Sequence, residues 1–68
     1  MKTILFVLIK MYKVYVKMTN TPDEVKKIYG RDNAEEFANQ AYDCDNVYAV
    51  EMINADTGEV VYYKSKGL

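Results

Sequence analysis

The pattern from which the fold can be worked out is MYKVYVKM, which covers residues 11–18. Its positions alternate strictly between two faces. The first face carries Tyr12, Val14, Val16 and Met18, and the second carries Lys13, Tyr15 and Lys17. A period of two residues is typical of a β-strand that buries one face. The sequence therefore predicts a half-buried strand here.

The segment after this strand has two interpretations. A turn cluster, TNTPD, occupies residues 19–23, and Val25–Tyr29 (VKKIY) follows it. As a strand, this segment completes a hairpin with the first strand. As a helix, it would begin from a capping box of Thr21 and Glu24 and end at Gly30. We prefer the strand, because Val, Ile and Tyr favour strands and so short a helix is marginal.

The next element is an amphipathic helix. Asp32 is the predicted N-cap, with Glu35 three residues later as an acidic variant of the capping box. Apolar residues then recur at the spacing of one helix face: Ala34, Phe37, Ala38, Ala41 and Tyr42. The small alanines allow this helix to lie close to a sheet.

Two further strands complete the domain. Val47–Asn54 is predicted as a strand, residues 55–58 as a hairpin loop with Gly58 at a positive φ, and Glu59–Lys64 as the last strand. Residues 65–68 are predicted to be a frayed tail. The expected fold class is α+β, a ββαββ domain over residues 11–64 with one antiparallel sheet and one helix across it.

The predicted strands carry apolar residues on both faces of the sheet, whereas one helix can cover only one face. In the third strand, Tyr48, Val50 and Met52 form one predicted row, and Val47, Ala49 and Ile53 form the other. An antiparallel sheet with a wet face normally carries polar residues there. We therefore expect the second face to be used for oligomerisation, as a homodimer or homotetramer.

Composition excludes several chemistries. The chain has 68 residues, enough for one small domain. Cys44 is the only cysteine and histidine is absent, which excludes an intrachain disulfide, a cysteine zinc site and Ser-His or Cys-His nucleophiles.

Charge is segregated: seven bases and two acids precede Asp32, whereas residues 32–63 carry eight acids and no base. Such asymmetry indicates charged partners.

Residues 1–10 are interpreted separately. Thr3–Ile9 (TILFVLI) is an apolar run that is either an extra strand or part of an upstream extension, in which case Met11 is the natural start. The run is too short to cross a bilayer and lacks the cleavage site of a secretory signal. We expect no membrane partner and a location in the cytoplasm of a bacterial host cell.

Basic and aromatic residues indicate a nucleic-acid surface. Lys13, Tyr15 and Lys17 share the strand face away from the helix, and Lys26, Lys27 and Arg31 lie in the neighbouring segment. Lysines interleaved with aromatic side chains suit a phosphate backbone with stacked bases. The sequence predicts DNA contact through these six residues.

Carboxylates are the candidates for catalysis. Asp23 and Glu24 lie on a turn beside the basic segments, where two carboxylates could hold Mg²⁺ and activate water for phosphodiester cleavage. Asp23 is the predicted catalytic residue of a metal-dependent DNA-nicking activity.

The helix supports an alternative without catalysis. Glu35, Glu36 and Asp43 form a carboxylate surface that could occupy the basic nucleic-acid channel of another protein. A purely structural phage accessory protein is the third interpretation.

Three runs carry a family resemblance: Tyr12–Val16, Ile28–Ala38 and Thr57–Val61. Across residues 11–64 the chain resembles the tiny Tyr-rich proteins of Clostridia and of their phages and plasmids, some of which are anti-CRISPR proteins directed at type II-A Cas9. The resemblance implies a mobile-element protein that interferes with host defence, acting on the effector nuclease or on its DNA target.

Overall fold

The structure, a computed structural model, describes residues 10–67. These residues form four strands and one helix, in the order β1 (Met11–Met18), β2 (Glu24–Tyr29), α1 (Arg31–Tyr42), β3 (Val47–Asn54) and β4 (Val60–Ser65). The predicted α+β class and the ββαββ order are confirmed, as is the strand interpretation of residues 25–29. The apolar run Thr3–Ile9 lies outside the described residues.

The sheet is antiparallel throughout, with the strand order β2-β1-β3-β4. β1 is central because it pairs with β2 through the predicted hairpin and with β3 on its other side. Lys13 lies opposite Lys27 of β2, and Val14 lies opposite Met52 of β3. β2 and β4 form the two edges of this sheet.

The core lies between α1 and the central strands. Val14, Val50 and Met52 are completely buried, and full burial of a large apolar side chain stabilises a fold by about 1.5–3 kcal/mol. Ala34 and Ala38 of the helix are also completely buried. Their small side chains allow α1 to lie close to β1 and β3, so the predicted helix face is confirmed.

The predicted N-cap is wrong. Helix α1 begins at Arg31, and Gly30 occupies the N-cap position with φ of +92° and no side-chain capping bond. Asp32 therefore lies inside the first turn. The reason is tertiary: the Gly30 N–H donates to the Lys10 carbonyl at 2.8 Å, so pairing with β1 continues to this residue. The chain must then turn within one residue, which a glycine permits.

Other bonds replace the expected capping box. The Asn33 side chain donates from Nδ2 to the Tyr29 carbonyl at 3.2 Å. Glu35 accepts a bond from Arg31 Nε at 3.0 Å rather than reaching back to the N-cap.

One predicted row of β3 is also corrected. The register of β1 and β3 shifts so that Met18 lies opposite Val47, whereas the preceding pair joins Lys17 to Ala49. Tyr48 is the extra residue of a β-bulge, which interrupts the alternation of side chains. Val47 consequently packs in the core on the helix side instead of sharing a row with Ala49.

The C-terminal strand extends slightly beyond its predicted end. β4 runs from Val60 to Ser65, and the Lys66 N–H donates to the Tyr48 carbonyl at 2.9 Å. The first two residues of the predicted tail are therefore hydrogen-bonded to the sheet or part of it. Within residues 10–67, no helix has both the length and the apolar character needed to cross a membrane.

Candidate nucleic-acid interface

Within residues 10–67, one face of the sheet is not covered by a helix, and we call it the open face. Register and alternation place four groups of residues on it: Met11, Lys13, Tyr15 and Lys17 of β1; Val25, Lys27 and Tyr29 of β2; Ala49, Glu51 and Ile53 of β3; and Val60, Tyr63 and Ser65 of β4. The large hydrophobic side chains that stand most exposed are Val25, Tyr29, Val60 and Tyr63, at 49–63% exposure. All four belong to the open face, which is therefore the prominent apolar surface of the described chain.

Two lysines lie directly opposite each other on this face. Lys13 of β1 pairs with Lys27 of β2 in the strand register. The Gly30 N–H bonds to the Lys10 carbonyl, so Lys10 and Gly30 are a hydrogen-bonded pair. Hydrogen-bonded and non-hydrogen-bonded pairs alternate along an antiparallel ladder, and Lys13 and Lys27 are therefore a non-hydrogen-bonded pair. Side chains approach most closely at such positions, with Cβ atoms about 4.5–5.5 Å apart, and like charges there are destabilising. The pair is thus a concentrated positive site.

Aromatic rings flank the lysine pair. Tyr15 follows Lys13 by two residues on β1, and Tyr29 follows Lys27 by two residues on β2. Residues two apart on a strand are separated by about 7 Å and point to the same side. Tyr15 is half-buried and Tyr29 is exposed. The arrangement places a ring on either side of the two cations.

The third lysine of the open face is partly neutralised. Lys17 Nζ lies 3.8 Å from Glu51 Oε1, and both side chains are more than half-buried. Within residues 10–67, Glu51 is the one acid that the strand register places on the open face. The positive charge of the face is therefore concentrated at Lys13 and Lys27.

The six predicted DNA-contacting residues do not share one surface. Lys13, Tyr15, Lys17 and Lys27 lie on the open face. Lys26 points to the helix side, where its Nζ lies 5.9 Å from the centre of the Phe37 ring. Arg31 begins α1 and donates from Nη2 to the Val61 carbonyl at 3.3 Å as well as binding Glu35. The alternation of β2 and the early start of the helix separate these two from the rest.

The predicted metal-binding pair lies at the start of β2. Asp23 is exposed one residue before the strand, and Glu24 is its first residue. Among the residues that the structure describes, no group of three or more acidic, cysteine or histidine side chains is placed to hold a metal ion. The Mg²⁺ site and the catalytic role of Asp23 stay predictions.

The acidic helix surface is less uniform than its sequence indicates. Glu35 is engaged by Arg31, and Glu36 accepts a bond from Gln40 Nε2 at 3.5 Å. Asp43 is exposed just beyond the C-terminal end of α1. The three carboxylates therefore lie on one side of the molecule, opposite the open face, with one of them ion-paired.

A groove opens beside the C-terminal half of α1. It has a volume of about 420 Å³ and is lined by apolar side chains that include Met18, Phe37 and Ala41, with Cys44 also on its wall. The Cys44 Sγ contacts the Gln40 carbonyl at 3.9 Å. Glu24 is the charged residue among those that line the groove, and this single carboxylate does not specify a ligand.

Sequence reasoning missed two tyrosines of the open face. Tyr29 joins the lysine pair because the hairpin register aligns it with Met11, and Tyr63 lies opposite Glu51. Given the turn at residues 19–23, counting back along the hairpin would have placed Tyr29 on the face of Lys13. The position of Tyr63 depends on the pairing of β3 and β4, with its own register shift near Ile53.

Comparison of the chain with protein-family models, with curated proteins and with solved structures gave no match.

Proposed function

We propose that this chain binds single-stranded DNA through its open face, as a small anti-defence protein of a phage or mobile element in the cytoplasm of a bacterial host. The observation that carries the proposal is the Lys13–Lys27 pair. Neither lysine has a carboxylate partner within residues 10–67. A phosphate group placed between them would replace repulsion with two charge-assisted contacts.

The tyrosines beside the pair favour a single strand over a duplex. Tyr15 and Tyr29 offer rings on which bases stack, and stacking contributes about 1–3 kcal/mol per base. Bases in a duplex are already stacked on each other, so their faces are hidden from a protein surface. A sheet face with aromatic and basic side chains matches the chemistry of sequence-tolerant single-strand binding.

The anti-defence role is supported by the resemblance of residues 11–64 to the tiny Tyr-rich proteins of Clostridia and of their phages and plasmids, some of which are anti-CRISPR proteins. RNA-guided nucleases displace one DNA strand when they open their target. A protein that binds this strand would interfere at the DNA target, whereas one that binds Cas9 itself would act at the effector. The open face supports the first of these two routes.

Two alternatives use other features. A second copy stacked on the open face would bury the apolar side chains there. It would also desolvate Lys13 and Lys27, which is costly because Glu51, the open-face carboxylate within residues 10–67, is already paired with Lys17. The carboxylate surface of Glu35, Glu36 and Asp43 is the alternative for a protein-binding inhibitor, and its charge is reduced by the Arg31–Glu35 pair. We therefore prefer nucleic-acid binding.

The test is fluorescence anisotropy with a labelled single strand of about 20 nucleotides and with the matching duplex, between about 50 and 200 mM salt. We expect tighter binding to the single strand and an affinity that falls with salt. Lys13→Ala should weaken binding and reduce the log–log salt slope by about 0.7, the value for one phosphate contact on a single strand.

Lys64→Ala is the matched control, because Lys64 lies on the helix side over the Tyr42 ring and its loss changes net charge equally. This control should leave the affinity nearly unchanged. Failure of the single strand to bind at low salt would contradict the proposal, as would equal losses in the two variants.

A further inference from the structure

Among the residues that the structure describes, no strand pairs with the outer edge of β2. The bond from the Gly30 N–H to the Lys10 carbonyl shows that the backbone groups of Gly30 point towards β1. Backbone groups alternate in direction along a strand, so the N–H and C=O groups of Val25 and Lys27 point away from β1. Glu24–Lys27 are all exposed. An exposed edge of this kind is a template for pairing with another strand.

Neighbouring edge positions already have partners. The Tyr29 carbonyl accepts a bond from Asn33 Nδ2 at 3.2 Å. On the opposite edge of the sheet, the Val61 carbonyl accepts one from Arg31 Nη2 at 3.3 Å. Counting partners within residues 10–67 alone, the unpaired stretch of the β2 edge therefore centres on Val25 and Lys27.

The order of charges along this stretch is complementary to the same order read in the opposite chain direction. Residues 23–27 read Asp-Glu-Val-Lys-Lys, with two acids, an apolar residue and two bases. When a second copy runs antiparallel and Val25 lies opposite Val25, Glu24 faces Lys26 and Asp23 faces Lys27. Symmetry repeats both contacts, which makes four cross-strand pairs of opposite charge, the arrangement that stabilises an antiparallel ladder.

Other symmetric registers lack this complementarity. A two-fold axis between antiparallel edge strands stands perpendicular to the sheet, so a residue at the centre faces its own copy. Centring on Glu24, Lys26 or Lys27 places identical charges against each other. Centring on Ile28 brings no acid opposite either lysine. Charge therefore selects the register centred on Val25, where outward backbone groups also allow the two valines to exchange both hydrogen bonds.

We infer that this chain forms a symmetric dimer by antiparallel pairing of β2 with β2 of a second copy, centred on Val25. The product is a continuous eight-stranded sheet with both open faces on the same side. Asp23 of the second copy becomes the partner of Lys27 and offsets part of its charge, whereas Lys13 of each copy, half-buried on the open face, gains no acidic partner from this pairing. The pairing does not depend on the proposed function, since a dimer of this kind forms whether or not the open face binds DNA.

The experiment uses charge reversal in the full 68-residue chain, with sedimentation mass measured over a range of concentrations at low salt. The wild-type chain should approach twice the mass of one copy. Glu24→Lys or Lys26→Glu alone turns two attractive pairs into repulsive ones and should weaken the dimer about tenfold or more. The double variant Glu24→Lys/Lys26→Glu restores every pair and should dimerise again.

Mixing the two single variants provides an internal control. In the mixed dimer, positions 24 and 26 are both lysine in one copy and both glutamate in the other, so every cross-strand pair at these positions is attractive. An equimolar mixture should therefore dimerise where neither variant does alone. Circular dichroism of each variant checks that it is folded. A wild-type chain that stays monomeric overturns the inference. So does a dimer that both single variants retain, which would assign association to another surface such as the open face.

Single-strand binding distinguishes this result from the proposed function. Glu24 lies on the helix side of β2, outside the open face, so a monomeric Glu24→Lys variant that still binds the labelled strand separates the dimer from the DNA site.

Discussion

Lys13 of β1 and Lys27 of β2 face each other across the hairpin without an acidic partner within residues 10–67. The two positive charges repel each other in the folded state, which lowers its stability. Lys27→Glu would convert it into an attractive pair, and we expect the free energy of unfolding to rise by about 0.2–1 kcal/mol. The same change should weaken single-strand binding, because one of the two cations is lost.

Urea denaturation of protein dilute enough to be monomeric measures the stability change. The gain should shrink as salt screens the pair. Lys64→Glu changes charge equally on the helix side and is the control; it should not stabilise the fold. A less stable Lys27→Glu variant at low salt would contradict the assignment of repulsion to this pair.

Tyr15 is expected to contribute ring stacking to DNA binding. Tyr15→Leu keeps an apolar side chain in the strand but removes the ring. It should weaken single-strand affinity by about 5- to 150-fold, in line with about 1–3 kcal/mol per stacked base. Tyr15→Phe keeps the ring and should bind nearly as well as wild type. Anisotropy titrations of the three proteins make the comparison. Equal loss in both variants would assign the role to the hydroxyl group instead.

Gly30 is expected to be more sensitive to a methyl group than Gly58. Gly30 has φ of +92°, and a Cβ there would lie 3.3 Å from Asn33 Nδ2, the atom bonded to the Tyr29 carbonyl. Gly30→Ala should lower the free energy of unfolding by about 1–3 kcal/mol through backbone strain and loss of this bond.

Gly58→Ala is the matched comparison, because Gly58 has φ of +78° and a Cβ added there would meet only open space. It should cost less than Gly30→Ala, since it adds backbone strain alone. Thermal or urea unfolding decides the order, and a larger loss at Gly58 would show that the Asn33 contact has no structural weight.

Local patterns were sufficient for the elements themselves. The alternation of residues 11–18, the apolar spacing of α1 and the turn at Gly58 each involve neighbours along the chain, and each was confirmed. The capping prediction at Asp32 failed although its motif was present. The pairing of Gly30 with Lys10, which joins residues far apart along the chain, sets the start of the helix instead.

Residue periodicity thus determines which segments are strands and, for β1 and α1, which side is buried, because both follow from steric and solvation preferences over a few residues. Strand order, the bulge at Tyr48 and the opposition of Lys13 to Lys27 were settled only when the sheet assembled. They depend on which backbone groups can pair while α1 still covers Val14, Val50 and Met52. That balance between hydrogen bonding and burial involves the whole domain, so no single stretch of the chain contains it.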